Sequence, residues 1–320
     1  MASNNKLIAW IRIQELHKHL TTQLPFLLGT SIAWWFTGTL NWAVFAISVI
    51  TVYLLTNACF ISNEYFDYET DKINMERIGG DEVGVTTTGG TRVLVEGLLP
   101  RRQALIASII FFFAAIPLGI FLQFYFKTGV LTIPIGVLAG LMGFFYTAPP
   151  IRASYRGFGE AFLCIDNAVI PVFMGFYLQH GFSCWWLPLV VALPWIIHAP
   201  AMKIIREFPD YKADLYVNKR NLVIIFGKEK MASVYILLTV CALILFIPVI
   251  FIVKGVVLLL LLLPAFFLLK SLIPAIKGEW KSKEGLDAIC RNGFIGMLFI
   301  LVALIGIFLL GRLLSDFYPK

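Results

Sequence analysis

The chain has 320 residues, 59% of them hydrophobic and only 14% charged, with a mean hydropathy of +0.84. An ordinary soluble domain carries about 25% charged residues, so this composition excludes a soluble globular fold and specifies a polytopic membrane protein. The net charge of +7 reads as the basic bias of cytoplasmic loops in membrane proteins, not as a surface for nucleic acid.

The opening stretch "MASNNKLIAWIRIQELHKHL" has no continuous apolar core, so no cleavable signal peptide is expected. A spanning helix needs roughly 20 mostly apolar residues. Nine such stretches are predicted, at 22–39, 41–60, 103–125, 129–146, 158–178, 182–205, 231–253, 255–273 and 293–314. Connections such as "GTLN" and "KG" are short, as between antiparallel helical neighbours. The expectation is an all-α membrane bundle forming a single domain over residues 1–320.

Charge then orients the bundle. With the N-terminus inside, the loops after spans two, four, six and eight share its side, and those regions hold 22 of the 26 Lys and Arg. Only Lys127, Lys254, Arg312 and Lys320 fall on the other side. This predicts a plasma or inner membrane protein with a cytoplasmic N-terminus and an outside C-terminus. All acids but Asp166, within span five, and Asp316 also lie on the basic face. The chemistry is therefore expected at the cytoplasmic ends of the even-numbered spans.

Two acid clusters mark that face. "NEYFDYETD" follows span two and places Asn63, Asp67 and Asp71 four residues apart, on one face if the segment is helical. "REFPDYKAD" follows span six and repeats the interval with Arg206, Asp210 and Asp214. The four-span separation of the motifs at 63–71 and 210–214 suggests an internal duplication. Carboxylates four residues apart repel, which near a low-dielectric boundary demands a proton or a cation. Ligands made only of oxygen favour a hard ion such as Mg²⁺, which binds through one or two carboxylates plus substrate phosphates. Zinc is disfavoured. The five cysteines form no CxxC pair, and His17, His19, His180 and His198 show no ligand spacing. Acids with abundant Lys and Arg on one face describe a diphosphate site.

These residues resemble the UbiA superfamily of intramembrane prenyltransferases. The family's NDxxDxxxD motif is matched by Asn63-Glu64-x-x-Asp67-x-x-x-Asp71, and its DxxxD motif by Asp210 and Asp214. The family's loop between spans four and five is matched by "YTAPPIRASYRGFGE", including Tyr146, Pro149, Pro150, Arg156, Gly157 and Glu160. Glu64 departs from the usual Asp by one methylene. The resemblance covers nearly the whole chain. It implies nine helices around a central cavity, and two Mg²⁺ ions bridging the acids to a prenyl diphosphate whose tail occupies an apolar channel. Carried over by position, Asn63, Asp67 and Asp71 serve one ion, and Asp210 and Asp214 the other. Arg156 contacts the diphosphate, with Arg152, Lys203, Lys219 and Tyr146 as further contacts. Aromatic faces can stabilise an allylic cation at about 0.5–2 kcal/mol each. Tyr65 and Phe66 in the first motif, with Phe144, Phe145 and Tyr146 at the end of span four, are the candidates, although most of the 28 Phe are expected simply to face lipid or neighbouring helices.

The stretch "VTTTGGTRVLVEGLLPRRQ" is similar to the menaquinone-pathway branch. Thr88, Gly89, Gly90 and Arg92 would cap the headgroup, and Arg92, Arg101 or Arg102 would meet either an acceptor carboxylate or phospholipid. The implied acceptor is aromatic, of the dihydroxynaphthoate or hydroxybenzoate type. Two other readings stay open at this point. The same ionisation without an acceptor would make a terpene cyclase, and intramembrane acids also serve cation-coupled transporters, though at the bilayer midplane.

Overall fold

Asn41 begins the second span by accepting a hydrogen bond from the Val44 amide at 3.1 Å, and Gly38, at φ 75°, ends the first. Local rules of this kind lay out the whole computed structural model, which describes residues 2–77, 90–253 and 255–315. All nine predicted spans are helical. They are Leu20–Thr37, Trp42–Phe66, Arg101–Tyr125, Thr132–Phe145, Gly159–His180, a sixth split into Trp186–Val191 and Leu193–Arg206, then Lys228–Ile252, Val256–Ile276 and Lys283–Leu314. Spans two, three, five, seven, eight and nine are each long and apolar enough to cross a membrane unaided. Among the described residues the only β pairing is a single bridge between Arg156 and Arg220.

Boundaries differ from the sequence reading where polar residues continue a helix. Span nine starts at Lys283 rather than at 293, because its first turns carry Glu284, Asp287 and Arg291. Apolar counting finds the edge of the hydrocarbon, not the end of the helix. Span two likewise runs on to Phe66.

Span one packs on span five, span two on span three, span six on span seven, and span nine on spans one, six and eight. Spans one and five meet backbone to backbone. A Cβ on Gly29 would come 2.9 Å from the Phe176 nitrogen, and one on Gly175 would come 2.9 Å from the Thr30 nitrogen. Small residues are what allow backbones in lipid to approach this closely. The Thr30 hydroxyl donates across the contact to the Gly175 carbonyl at 3.3 Å. The largest buried side chains, Trp195, Tyr235, Phe26, Phe176, Phe208 and Phe308, fill the interior. Large apolar side chains such as Ile110, Phe113, Phe251, Leu262 and Phe266 point outward, as a lipid-facing surface requires.

A cavity of about 1410 Å³ lies among spans one to six and the start of span nine. One end receives the ends of spans two and six. The other reaches Leu122, Phe124 and Thr132, at the opposite ends of spans three and four. Ile116 and Ile120 of span three and Val137 and Leu141 of span four line it while keeping about half their surface exposed, so the apolar part meets the exterior between these two helices.

Candidate active site

Both acid motifs stand where a spanning helix stops. Span two ends at Asp67, and a short helix, Tyr68–Arg77, follows at once. The amides of Asp67 and Asp71 still bond to the carbonyls of Asn63 and Asp67, at 2.8 and 2.9 Å, so the four-residue stagger survives the junction. The second motif departs from the expected single helix. Span six ends at Arg206, the chain turns through Glu207–Asp210, and Asp214 lies in a new helix, Tyr211–Tyr216. Pro209 explains the break, since it lacks an amide proton and disfavours the helical conformation before it. The Asp214 amide still bonds to the Asp210 carbonyl at 2.8 Å.

The structure brings Asn63, Asp67, Asp71, Asp210 and Asp214 to the wall of the one cavity, together with Lys203, Lys219 and Tyr146. Arg156 is not among the lining residues. It is exposed, because the chain reverses at Gly157 (φ 82°) while the Arg156 backbone bridges to Arg220. Arg152 stacks its guanidinium 4.0 Å above the Tyr155 ring. Arg101 lies 4.0 Å over the Tyr68 ring and 3.3 Å from Glu69, outside the cavity lining. Thr88 and Gly89 of the expected cap lie outside the described residues. Gly90 is described and lines the cavity, and a Cβ there would come within 2.5 Å of Glu64 Oε1 and 2.8 Å of Asp71 Oδ2. Its φ of 65° also requires glycine.

Glu64 acts on this strap. Its carboxylate accepts from the Thr91 amide at 2.7 Å and from the Thr91 hydroxyl at 2.6 Å. The extra methylene relative to aspartate extends the carboxylate toward the strap that follows the first motif.

Sequence reading missed the residues that hold the acids in place. Tyr155 donates its hydroxyl to Asp67 Oδ1 at 2.6 Å, and the Thr70 hydroxyl stands 2.8 Å from the Tyr155 hydroxyl oxygen. The tyrosine proton is committed to the carboxylate, so Thr70 is the donor to Tyr155. Thr147 donates to Asn63 Oδ1 at 2.7 Å, and Asn221 to Asp214 Oδ2 at 2.7 Å. Lys219 Nζ lies 3.5 Å from Asp214 Oδ1, and Lys203 Nζ lies 2.6 Å from Glu207 Oε1. Glu15 and Lys18, a close ion pair, join the cavity wall from the segment before span one. The only sequence signal for Tyr155 was its place in "YTAPPIRASYRGFGE".

Burial dominates the electrostatics. It raises the Asp67 carboxyl above the usual range, opposed by Lys219 and by the Tyr155 hydrogen bond. Asp71 is pushed well up by burial, then by the charges of Asp67 and Glu64. Asp210 is pushed to about 6 by burial and by Asp214, and Asp214 is raised by burial despite Lys219. Burial alone would lower Lys219, but Asp214, Asp67 and Glu207 outweigh it and hold the ammonium charged. Nine carboxyl groups line the cavity against five lysine and arginine side chains, so acidic groups are in excess. Among the described residues no three His, Cys, Asp or Glu side chains form a ready metal cage.

Comparison with known proteins agrees with this geometry. Residues 23–300 match the UbiA prenyltransferase family. Over 226 residues the chain is 24% identical to the 1,4-dihydroxy-2-naphthoate octaprenyltransferase of Bacillus subtilis (strain 168), covering 69% of this chain and 67% of that one. The fold matches a solved digeranylgeranylglyceryl phosphate synthase with a TM-score of 0.68, at 18% identity over 95% of this chain and 99% of that one. It also matches a UbiA homologue from Archaeoglobus fulgidus bound to DMAPP and Mg²⁺, with a TM-score of 0.56 at 17% identity over 92% of this chain and 98% of that one. With long apolar helices among the described residues and a family match over residues 23–300, the chain belongs to the UbiA prenyltransferase family and is an integral membrane prenyltransferase.

Proposed function

We propose that the protein transfers a prenyl group from a polyprenyl diphosphate to an aromatic acceptor of the dihydroxynaphthoate type, in a Mg²⁺-dependent step of quinone biosynthesis. One observation carries the reading. Two carboxylate pairs from distant parts of the sequence, with two lysines, line one end of a cavity whose remainder is mostly apolar and runs to the far end of the bundle. That shape fits a charged headgroup joined to a long hydrocarbon tail. The name of the Bacillus subtilis relative supports the acceptor class.

The residues fit a hard divalent cation. The donors on the acid motifs are all oxygen, and the carboxyls are held above their usual pKa by burial and mutual repulsion, which a divalent cation relieves. Asn63, Asp67 and Asp71 would hold one ion, and Asp210 and Asp214 a second. Bound there, Mg²⁺ would supply positive charge against the growing negative charge of the leaving diphosphate.

The chain's own residues do the rest. Lys203 and Lys219 present ammonium groups to the headgroup, and their aim at the leaving oxygens favours the transition state over the ground state. Tyr155 and Thr147 fix the orientation of Asp67 and Asn63. The Glu64–Thr91 tie holds the strap beside the acids. The apolar walls keep water from the allylic cation. The excess of basic residues at the acid end supports a cytoplasmic side for that end and for the N-terminus.

Product analysis tests the proposal. Purified protein with a prenyl diphosphate and Mg²⁺ is expected to release pyrophosphate only slowly until 1,4-dihydroxy-2-naphthoate is added, and then to yield a C-prenylated ring. Asp67→Asn and Asp210→Asn should each abolish nearly all turnover in a folded protein. Rapid pyrophosphate release without acceptor, giving a cyclic hydrocarbon or terpene alcohol, would overturn the assignment.

A further inference from the structure

Span five carries polar groups that the diphosphate end leaves unused. Its helix widens into a π-turn over Cys164–Val169. In a regular α-helix, at 3.6 residues per turn, neighbouring side chains diverge by about 100°. Here the neighbours Asp166 and Asn167 both line the cavity. Such π-turns recur at functional sites. Asp166 faces spans two and four: a Cβ added to Gly143 would lie 3.3 Å from Asp166 Oδ2, with Cys59 beside the same point. Neither Asp166 nor Asn167 has a hydrogen-bond or ion-pair partner among the described residues. A carboxylate inside a spanning helix is costly, so one that faces a cavity without a protein partner points to a ligand.

Its depth says which part of the ligand. On span two, Cys59 lies one turn below Asn63 and two turns below Asp67. At about 5.4 Å per turn, Asp166 sits roughly 5–11 Å toward the apolar side of the acids that would face the diphosphate. The first carbon of a prenyl diphosphate is bonded directly to a phosphate oxygen, and the tail continues into the apolar part. Asp166 and Asn167 therefore border the place where that carbon meets whatever attacks it.

We propose that Asp166 and Asn167 form the acceptor subsite, a reading that rests on the aromatic prenyl transfer argued above. The Asp166 carboxylate accepts a hydrogen bond from a ring hydroxyl of the acceptor, Asn167 offers its amide to a second oxygen, and Asp166 then removes the ring proton. The step balances. The C1–O bond breaks with its electron pair leaving on pyrophosphate. A ring π pair forms the new C–C bond. The C–H bond at that ring carbon then breaks, its electrons restore aromaticity and its proton passes to the Asp166 carboxylate.

The test compares wild type with Asp166→Asn, Asp166→Glu and Asn167→Ala. The probes are Mg²⁺, geranylgeranyl S-thiolodiphosphate as an unreactive donor, and 1,4-dihydroxy-2-naphthoate as acceptor. Asp166→Asn is expected to bind the thiolodiphosphate within twofold of wild type. Its acceptor KM should rise about tenfold, and its kcat with geranylgeranyl diphosphate should fall about a hundredfold, the lower range of a lost general base. Asp166→Glu should recover part of kcat, and Asn167→Ala should raise the acceptor KM alone. Wild-type kcat and KM in Asp166→Asn would refute the subsite. Parallel loss of donor and acceptor binding would do so too, by showing a structural role. Wild-type protein that binds the thiolodiphosphate but prenylates no aromatic ring would instead overturn the function on which the subsite rests.

Discussion

Replacing Tyr155 by Phe deletes a single hydroxyl and leaves the ring to which Arg152 and Lys219 are apposed, at 4.0 and 5.7 Å from its centre. Among the described residues that hydroxyl is the one hydrogen-bond donor to the Asp67 side chain, at 2.6 Å, and it is itself supported by Thr70. A hydrogen bond to a charged group contributes about 1.5–3 kcal/mol. With 1.36 kcal/mol per tenfold, its loss corresponds to a factor of roughly 10 to 100. The sign follows from Asp67. Burial already raises its pKa, and the tyrosine hydrogen bond opposes that rise. Without the bond the carboxyl holds its proton more tightly and its orientation loosens, so a cation competes less well for it. The expected result is a 10- to 100-fold rise in the Mg²⁺ concentration for half-maximal activity, with a smaller loss of kcat at saturating Mg²⁺. Pyrophosphate release, titrated with Mg²⁺ at fixed donor and acceptor, measures it, and a thermal melt checks the fold. An unchanged Mg²⁺ curve in a folded Tyr155→Phe protein would show that Asp67 does not depend on this hydroxyl for any role in metal binding.

Asp210, pushed to about 6, and its raised neighbours Asp67, Asp71 and Asp214 predict a pH effect. Protonation competes with a cation, so the Mg²⁺ requirement should climb as pH falls from 7.5 through 6; titrations that superimpose across this range would contradict it. Glu64→Asp restores the family residue but shortens the reach to Thr91, and should weaken the two hydrogen bonds on the strap and raise the donor KM several-fold; wild-type kinetics would show that the strap holds without them. Single cysteines at positions 69 and 127, in a background without the native five, should label from the cytoplasmic and external sides respectively, and the reverse pattern would invert the bundle.

The spans were legible because burial in lipid is a matter of composition, and a run such as 231–253 has no other use. The acid motifs stood out because five oxygen-bearing side chains at four-residue intervals in an apolar chain have few bland explanations. What stayed hidden is three-dimensional. Tyr155 lies 88 residues from Asp67, and nothing local says that they meet. Arg156 reads as a cavity cation from its loop, yet the reversal at Gly157 turns it outward, while Lys219, a weaker candidate by sequence, stands against Asp214. The regular spacing of Arg206, Asp210 and Asp214 suggested one helix, but Pro209 divides it. The pairing of Asp166 with Asn167 in the cavity wall depends on a π-turn, which no periodicity in the sequence announces.

The half-exposed wall of Ile116, Ile120, Val137 and Leu141 has a kinetic consequence. A prenyl substrate that enters through this wall approaches from within a two-dimensional solvent. The quantity that saturates the enzyme is then the mole fraction of substrate among the surrounding lipids, not its molarity in the assay tube. Adding inert lipid or detergent at constant total substrate should slow the reaction by surface dilution alone. Apparent Michaelis constants for the isoprenoid partner are accordingly comparable only between preparations with the same amphiphile-to-protein ratio.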